Sequence, residues 1–224
     1  MSTAVEPLRP LLLAEPREIP LLADFLGRLL RYDRAAAVRL QTAGETLAVF
    51  ARIPLGQSGP LVIRTALLDG AQPLDVTVSA GQWLEELGRA QDAGHDGLVL
   101  PPAITGPAWA GLLPPRVGWE RVEDLDTAPL AAAVAAAVTE FRKAATAPSG
   151  GDALAEAIWS RQVHPAGLTL RALHAAHLTG LLQQTPRVTL HRHSAWLRLT
   201  APRGSVVMRR ASAPGAGLGL TPTR

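Results

Sequence analysis

The stretch Ala36–Val78 reads "AAVRLQTAGETLAVFARIPLGQSGPLVIRTALLDGAQPLDVTV", and its alternation decides the fold class. Four runs with period two, Ala36–Gln41, Thr46–Pro54, Pro60–Leu68 and Pro73–Val78, are separated by the turn-rich segments "TAGE", "LGQSG" and "DGAQ". Period two is the mark of a half-buried strand, and such turn residues punctuate strands rather than helices. If each turn joins neighbouring antiparallel strands, residues opposite one another share a face. Val38, Leu40, Leu47, Val49, Ala51, Ile53, Leu61, Ile63, Leu74, Val76 and Val78 then fall on one side. Arg39, Phe50, Arg52, Val62, Arg64, Asp75 and Thr77 gather on the other. The expectation is a four-stranded antiparallel meander with one core face and one mixed face.

Helices flank this sheet. Upstream, "EIPLLADFLGRLLRYDR" places Leu21, Leu22, Phe25, Leu26, Leu29 and Leu30 on one stripe and Asp24, Arg28 and Arg31 opposite, the pattern of an amphipathic helix lying on a core. Downstream, Ser79 and Gln82 have capping-box spacing and Val78 with Trp83 that of a hydrophobic staple, which predicts a helix over 80–91. The fold class expected is therefore α+β, a helix plus an antiparallel meander covered by helices, over residues 1–97.

Residues 98–126 read "LVLPPAITGPAWAGLLPPRVGWERVEDLD", whose five prolines argue for a connector without long regular elements, pinned to the body by Trp109 and Trp119. Residues 127–210 then predict a helical region followed by a small β-ribbon. "TAPLAAAVAAAVTEFRKAA" is a strong helix, "APSGG" stops it, and Asp152 can cap a short helix that "HPAG" breaks. "LTLRALHAAHLTGLL" (Leu168–Leu182) is a third helix capped by Thr169. "RVTLHRH", "AWLRLTAP" and "GSVVMRR" read as a small meander, and residues 211–224 as a disordered tail.

With 224 residues, 47 % of them hydrophobic and 18 % charged, the composition is globular. Cysteine is absent, which excludes disulfides and thiolate chemistry. The opening residues lack a basic signal-peptide region and no apolar run approaches a membrane span, so a cytoplasmic setting is expected. The 22 basic groups outnumber the 19 acidic ones, and their distribution is uneven. Residues 1–150 carry 13 basic and 17 acidic side chains, a net −4; residues 151–224 carry 9 and 2, a net +7. Such asymmetry can mark a surface for an acidic partner.

Three function classes compete. In the first, the mixed sheet face (Arg39, Phe50, Arg52, Arg64) and the connector tryptophans Trp109 and Trp119 form a surface for a partner protein. Arginines that alternate outward on a half-solvated strand are also an ordinary surface pattern. In the second, helix, short helix, turn, helix and basic ribbon follow the order of a winged helix-turn-helix. Leu168–Leu182 would then be the recognition helix, with Arg171 and His174 toward the bases and Arg198, Arg203, Arg209 and Arg210 on the wing. That helix offers few polar side chains for a base reader. In the third, His174 and His177 at i, i+3 join His191 and His193 of one strand face in a metal site, though no carboxylate lies nearby in sequence. The loop trio Asp92, His95 and Asp96 lacks a nucleophile, and no P-loop, HExxH, GxSxG or kinase signature occurs.

The runs "AEPREIPLLADFLGRLLRYDRAAAVRL" and "GPAWAGLLPPRVGWE" resemble uncharacterised hypothetical proteins of high-GC Gram-positive bacteria. The resemblance implies a bacterial cytoplasmic setting and carries no activity with it. The favoured reading is a non-enzymatic protein acting through protein–protein contacts, without cofactor. A nucleic-acid-binding regulator and a histidine metal protein are the alternatives.

Overall fold

The computed structural model describes residues 11–56, 59–94, 97–145 and 151–210. The tail 211–224, the helix stop at 147–150, His95, Asp96 and the side chain of Asp152 lie outside the described residues. In chain order the elements are β1 (Leu11–Leu12), α1 (Glu18–Leu30), β2 (Ala37–Ala43), β3 (Thr46–Arg52), β4 (Leu61–Leu67) and β5 (Asp75–Ser79). Then come α2 (Ala80–Ala93), β6 (Gly97–Leu98), β7 (Glu120–Asp126), α3 (Thr127–Ala145), α4 (Gly151–Trp159) and α5 (Leu170–Leu178). Last are β8 (Arg187–His193), β9 (Trp196–Ala201) and β10 (Gly204–Arg209).

Eight of the strands form one antiparallel sheet in the order β5-β2-β3-β4-β10-β9-β8-β7, and β1 pairs with β6 beside it. This corrects the expected fold class in two respects. The first four strands are not a meander, because β5 returns past β3 and β4 to pair with β2 (Leu40 opposite Val76, Val38 opposite Val78). The C-terminal ribbon is not a separate small meander, because β10 pairs with the β4 edge that this crossover leaves free. A seven-residue link, 68–74, is long enough for the return, and turn chemistry alone does not fix which edge a strand joins.

Helices cover one face. Leu22, Phe25, Leu26 and Leu29 of α1, Trp83 and Leu87 of α2, Val134 of α3, and Leu173, Ala175 and Ala176 of α5 share a continuous core with the inward residues of both sheet halves. Ser79 caps α2 by accepting from the Gln82 amide at 3.4 Å, and Thr169 caps α5 by accepting from the Ala172 amide at the same distance. The halves repeat one plan. Sheet half β5-β2-β3-β4 with α1 and α2 corresponds to β7-β8-β9-β10 with α5 and α3. The strand–helix pair comes last in the first half (β5–α2) and first in the second (β7–α3).

Three further expectations need correction. In β4 the faces are reversed: Val62 stands opposite Ala51 and Arg64 opposite Val49, so Ile63 shares the outer face with Phe50. The loop between the paired ends Arg52 and Leu61 has an even number of residues, which flips the parity counted along the sequence. Arg64 is accordingly buried on the helix face, where its Nη2 donates to Glu18 Oε2 at 2.9 Å and its Nη1 to the Arg203 carbonyl at 2.9 Å. Within the supposed connector, "ERVEDLD" is the strand β7, paired with β8 and bulged between Arg121 and Glu123. Its charges suit an exposed sheet edge and conceal it from a hydrophobic pattern. Finally, α5 is no recognition helix. Leu170, Ala172, Leu173, Ala175 and Ala176 are buried under the sheet, leaving no face free to enter a groove.

Gly204 sits where the halves meet, opposite Arg64. A Cβ there would lie 2.2 Å from the Ile63 carbonyl oxygen, a backbone atom that cannot move aside cheaply. Gly88, inside α2, has open space around it. Gly204→Ala should therefore destabilise the protein by about 2–3 kcal/mol. Gly88→Ala should stabilise it by about 0.8 kcal/mol through helix propensity. Urea melts of the two variants check the pair, and equal effects at the two positions would refute the close approach of β4 and β10.

Candidate functional site

The face of the sheet away from the helices is covered in part by residues 99–119. Their backbone is tied down at several points. The Ile104 amide donates to the Thr77 carbonyl at 2.9 Å. Arg39 donates to the Ala110 carbonyl and makes a two-pronged ion pair with Asp75 at 2.7 and 2.8 Å. That hydrogen bond holds the Asp75 carboxyl below its usual range. Arg116 donates to Gln41 at 3.0 Å, and the Arg198 guanidinium lies 4.1 Å from the Trp119 ring centre. Burial depresses the pKa of Arg198. Beneath this strap Phe50, Ile63 and Val207 form a small second core, with Trp109, Leu113, Trp119 and Trp196 packed around it.

The strap does not cover everything. Between it and the β4–β10 junction lies a groove of about 350 Å³ lined by Leu61, Trp109, Leu112, Trp196, Val207 and Met208, with Arg52 and Arg209 at its rim. Leu112 is 51 % exposed, a large apolar side chain left in water at the lip. The Arg209 guanidinium stands 5.1 Å over the Trp196 ring. Apolar walls with a few cations at the edge are the usual make-up of a pocket that binds an apolar group.

The structure distributes the sequence candidates unevenly. Arg52 and Trp109 meet at the groove. Arg39 and Trp119 fasten the strap, Phe50 is buried under it, and Arg64 is on the opposite face inside the core. Of the arginines assigned to a wing, Arg198 lies beneath Trp119 and Arg209 stacks on Trp196, while Arg203 occupies the β9–β10 turn. Arg171 pairs with Glu156 at 2.6 Å, and Arg210 flanks the end of β10.

The four histidines do not converge. His174 stacks on Trp159 with ring centres 4.3 Å apart, His191 meets Thr200 at 3.3 Å, and His193 lies against Trp119. His177 lines a small hollow with Arg28 and Tyr32. Among the described residues no three of His, Asp and Glu could hold a metal ion together. Sequence reasoning missed Leu61, Trp196, Val207 and Met208. For Leu61, Val207 and Met208 the signal was present in "PLVI" and "SVVM", short apolar runs of the kind found in strands covered on both faces.

This architecture is that of the sliding-clamp fold. The chain superposes on the DNA polymerase III subunit beta of Pseudomonas aeruginosa with a TM-score of 0.53 and 12 % identity, covering 87 % of this chain and 64 % of that one. The clamp from Bartonella birtlesii, bound to griselimycin, gives 0.53 and 11 %, covering 91 % and 65 %. The subunit beta from Borrelia burgdorferi, in complex with a natural product, gives 0.54 and 7 %, covering 89 % and 64 %. The chain thus spans less than two thirds of these clamps, and the likeness is one of fold. By sequence, residues 6–111 match the domain of unknown function DUF8010 and residues 114–213 the domain of unknown function DUF8185. No curated protein matches.

Burial lowers the pKa of His174 from its ordinary 6.5 to about 4, and the nearby His177 adds to the effect. Between those two values the unfolded chain takes up a proton that the folded one refuses. Stability is therefore complete above about pH 6.5 and declines as the pH falls toward 4. His174→Phe keeps a ring against Trp159 and removes the proton site. The melting temperature of the wild type should fall faster than that of this variant between pH 7 and pH 4.5. Parallel curves would show that His174 titrates normally in the fold.

Proposed function

We propose that this chain is a non-enzymatic cytoplasmic interaction module, which holds an apolar segment of a partner protein in the groove between the strap and the β4–β10 junction. The observation that carries this reading is the pair of partly exposed indoles, Trp109 and Trp196, which line one groove together with Leu61 and Val207. A partly exposed aromatic pair held against a rigid sheet is what an interface anchor needs, since most binding energy comes from a few such residues. The sheet is rigid because both of its faces are packed. The clamps that share the fold are subunits of DNA polymerase III, which accords with a part that works by contact. Arg52 and Trp109 are the two sequence candidates retained for this role.

Nucleic-acid binding has less support. The five helices together carry eight carboxylates and five cations, so the helix layer offers no positive field to a phosphate backbone. Nor is α5 free to read bases.

Panning a phage library of random dodecapeptides on the full chain tests the proposal. It should enrich sequences with two closely spaced apolar residues. Trp196→Ala should weaken the selected peptides by about tenfold or more, with its thermal melt retained. Failure to enrich any sequence, or peptides that bind Trp109→Ala and Trp196→Ala as tightly as the wild type, would overturn it.

A further inference from the structure

Met208 and Arg209 line two hollows at once. On one side is the apolar groove; on the other is a cleft of about 450 Å³ walled by Trp159, Arg171, Arg209 and Arg210. The two therefore share a wall at the end of β10. Their electrostatics differ from those of the two sheet edges. Arg39, Arg121, Arg187 and Arg192, toward the two sheet edges, each pair with a carboxylate of a neighbouring or same strand. In the cleft, Arg171 is answered by Glu156 at 2.6 Å. Arg209 and Arg210 are exposed, and neither has a carboxylate partner among the described residues. Two uncompensated guanidinium groups thus stand where an apolar groove opens into a polar cleft. By sequence, the stretch 151–224 to which both belong carries a net charge of +7.

We propose that groove and cleft form one continuous site for an acidic peptide segment of a partner protein, its apolar side chains against Trp109 and Trp196 and its carboxylates on Arg209 and Arg210. This rests on the groove reading above and adds the chemistry of the partner. Guanidinium groups bind carboxylates through paired N–H donors, and a positive rim speeds the encounter with an acidic segment. A nucleic acid suits the place less well. The Glu156 side chain is 62 % exposed beside the cleft's deeper arginine and repels a continuous polyanion. A peptide with one or two carboxylates can place them at the lip and avoid it.

Peptides selected on the full chain provide the probe, with fluorescence anisotropy at physiological ionic strength as the readout. Selected sequences should carry Asp or Glu within a few residues of the apolar pair. Arg209→Glu with Arg210→Glu should weaken them by about tenfold or more, as expected for loss of charge-assisted contacts. Replacing the peptide acids by Lys should restore binding to that variant. Because Arg209 stacks on Trp196, the neutral pair Arg209→Gln with Arg210→Gln is measured as well, and should weaken binding by a smaller factor. Peptides that depend on Trp196 but ignore both charge variants would overturn the acidic partner and leave the groove reading standing. If no peptide binds at all, both fall. An oligothymidylate dodecamer bound as tightly as the peptides, and released by the charge reversal, would overturn the proposal in favour of nucleic acid.

Discussion

Four residue pairs, Leu61 with Val207, Val62 with Val206, Ile63 with Ser205 and Arg64 with Gly204, join β4 to β10, and the remaining architecture follows from that ladder. It turns two four-stranded sheets into one of eight and lets α1, α2, α3 and α5 share a single core. The missing side chain at Gly204 permits the backbones to approach. On the other strand, Arg64 reaches under the junction to Glu18 of α1 and to the Arg203 carbonyl of the β9–β10 turn. Burial lowers the pKa of that guanidinium, and Glu18 offsets part of the cost. A buried ion pair contributes little net stability against an apolar alternative. Its consequence here is geometric. With one partner gone the other would stand unpaired in the core, so α1 and the second half's turn are held at fixed positions.

The outer face inherits its character from the same ladder. Because β4 and β10 meet with Leu61 and Val207 side by side, apolar surface continues across the junction on the side away from the helices. The proline-rich strap covers part of it, fastened by Arg39, Arg116 and Arg198. The uncovered remainder is the groove. On this face Arg39 and Arg198 fasten the strap, whereas Arg209 stands at the rim of the groove over Trp196.

Much of this was legible in the residues. Alternation and turn residues together placed seven strands of the large sheet close to their observed positions, and the caps at Ser79 and Thr169 were plain from spacing. Pairing was harder to read. Parity counted through the β3–β4 loop failed because the stretch between the paired ends Arg52 and Leu61 is too long for a two-residue hairpin turn to set the register, and it sent Arg64 and Ile63 to the wrong faces. The eighth strand, β7, was hidden because an exposed edge needs no apolar residues. The long-range choice of β10 as the neighbour of β4 has no local signature at all. For the groove, Trp109 and Arg52 were found by their chemistry, whereas Leu61, Val207 and Met208 looked like core residues of a one-faced sheet. The histidine cluster was an effect of sequence proximity, since successive strand and helix positions carried its members to different surroundings.

If the β4–β10 ladder makes the halves one cooperative body, heat should unfold them together. Differential scanning calorimetry of the full chain measures this directly. The account predicts a single transition whose calorimetric and van't Hoff enthalpies agree to within about 10 %. Two resolved transitions, or a calorimetric enthalpy about twice the van't Hoff value, would show halves that melt independently and would contradict it.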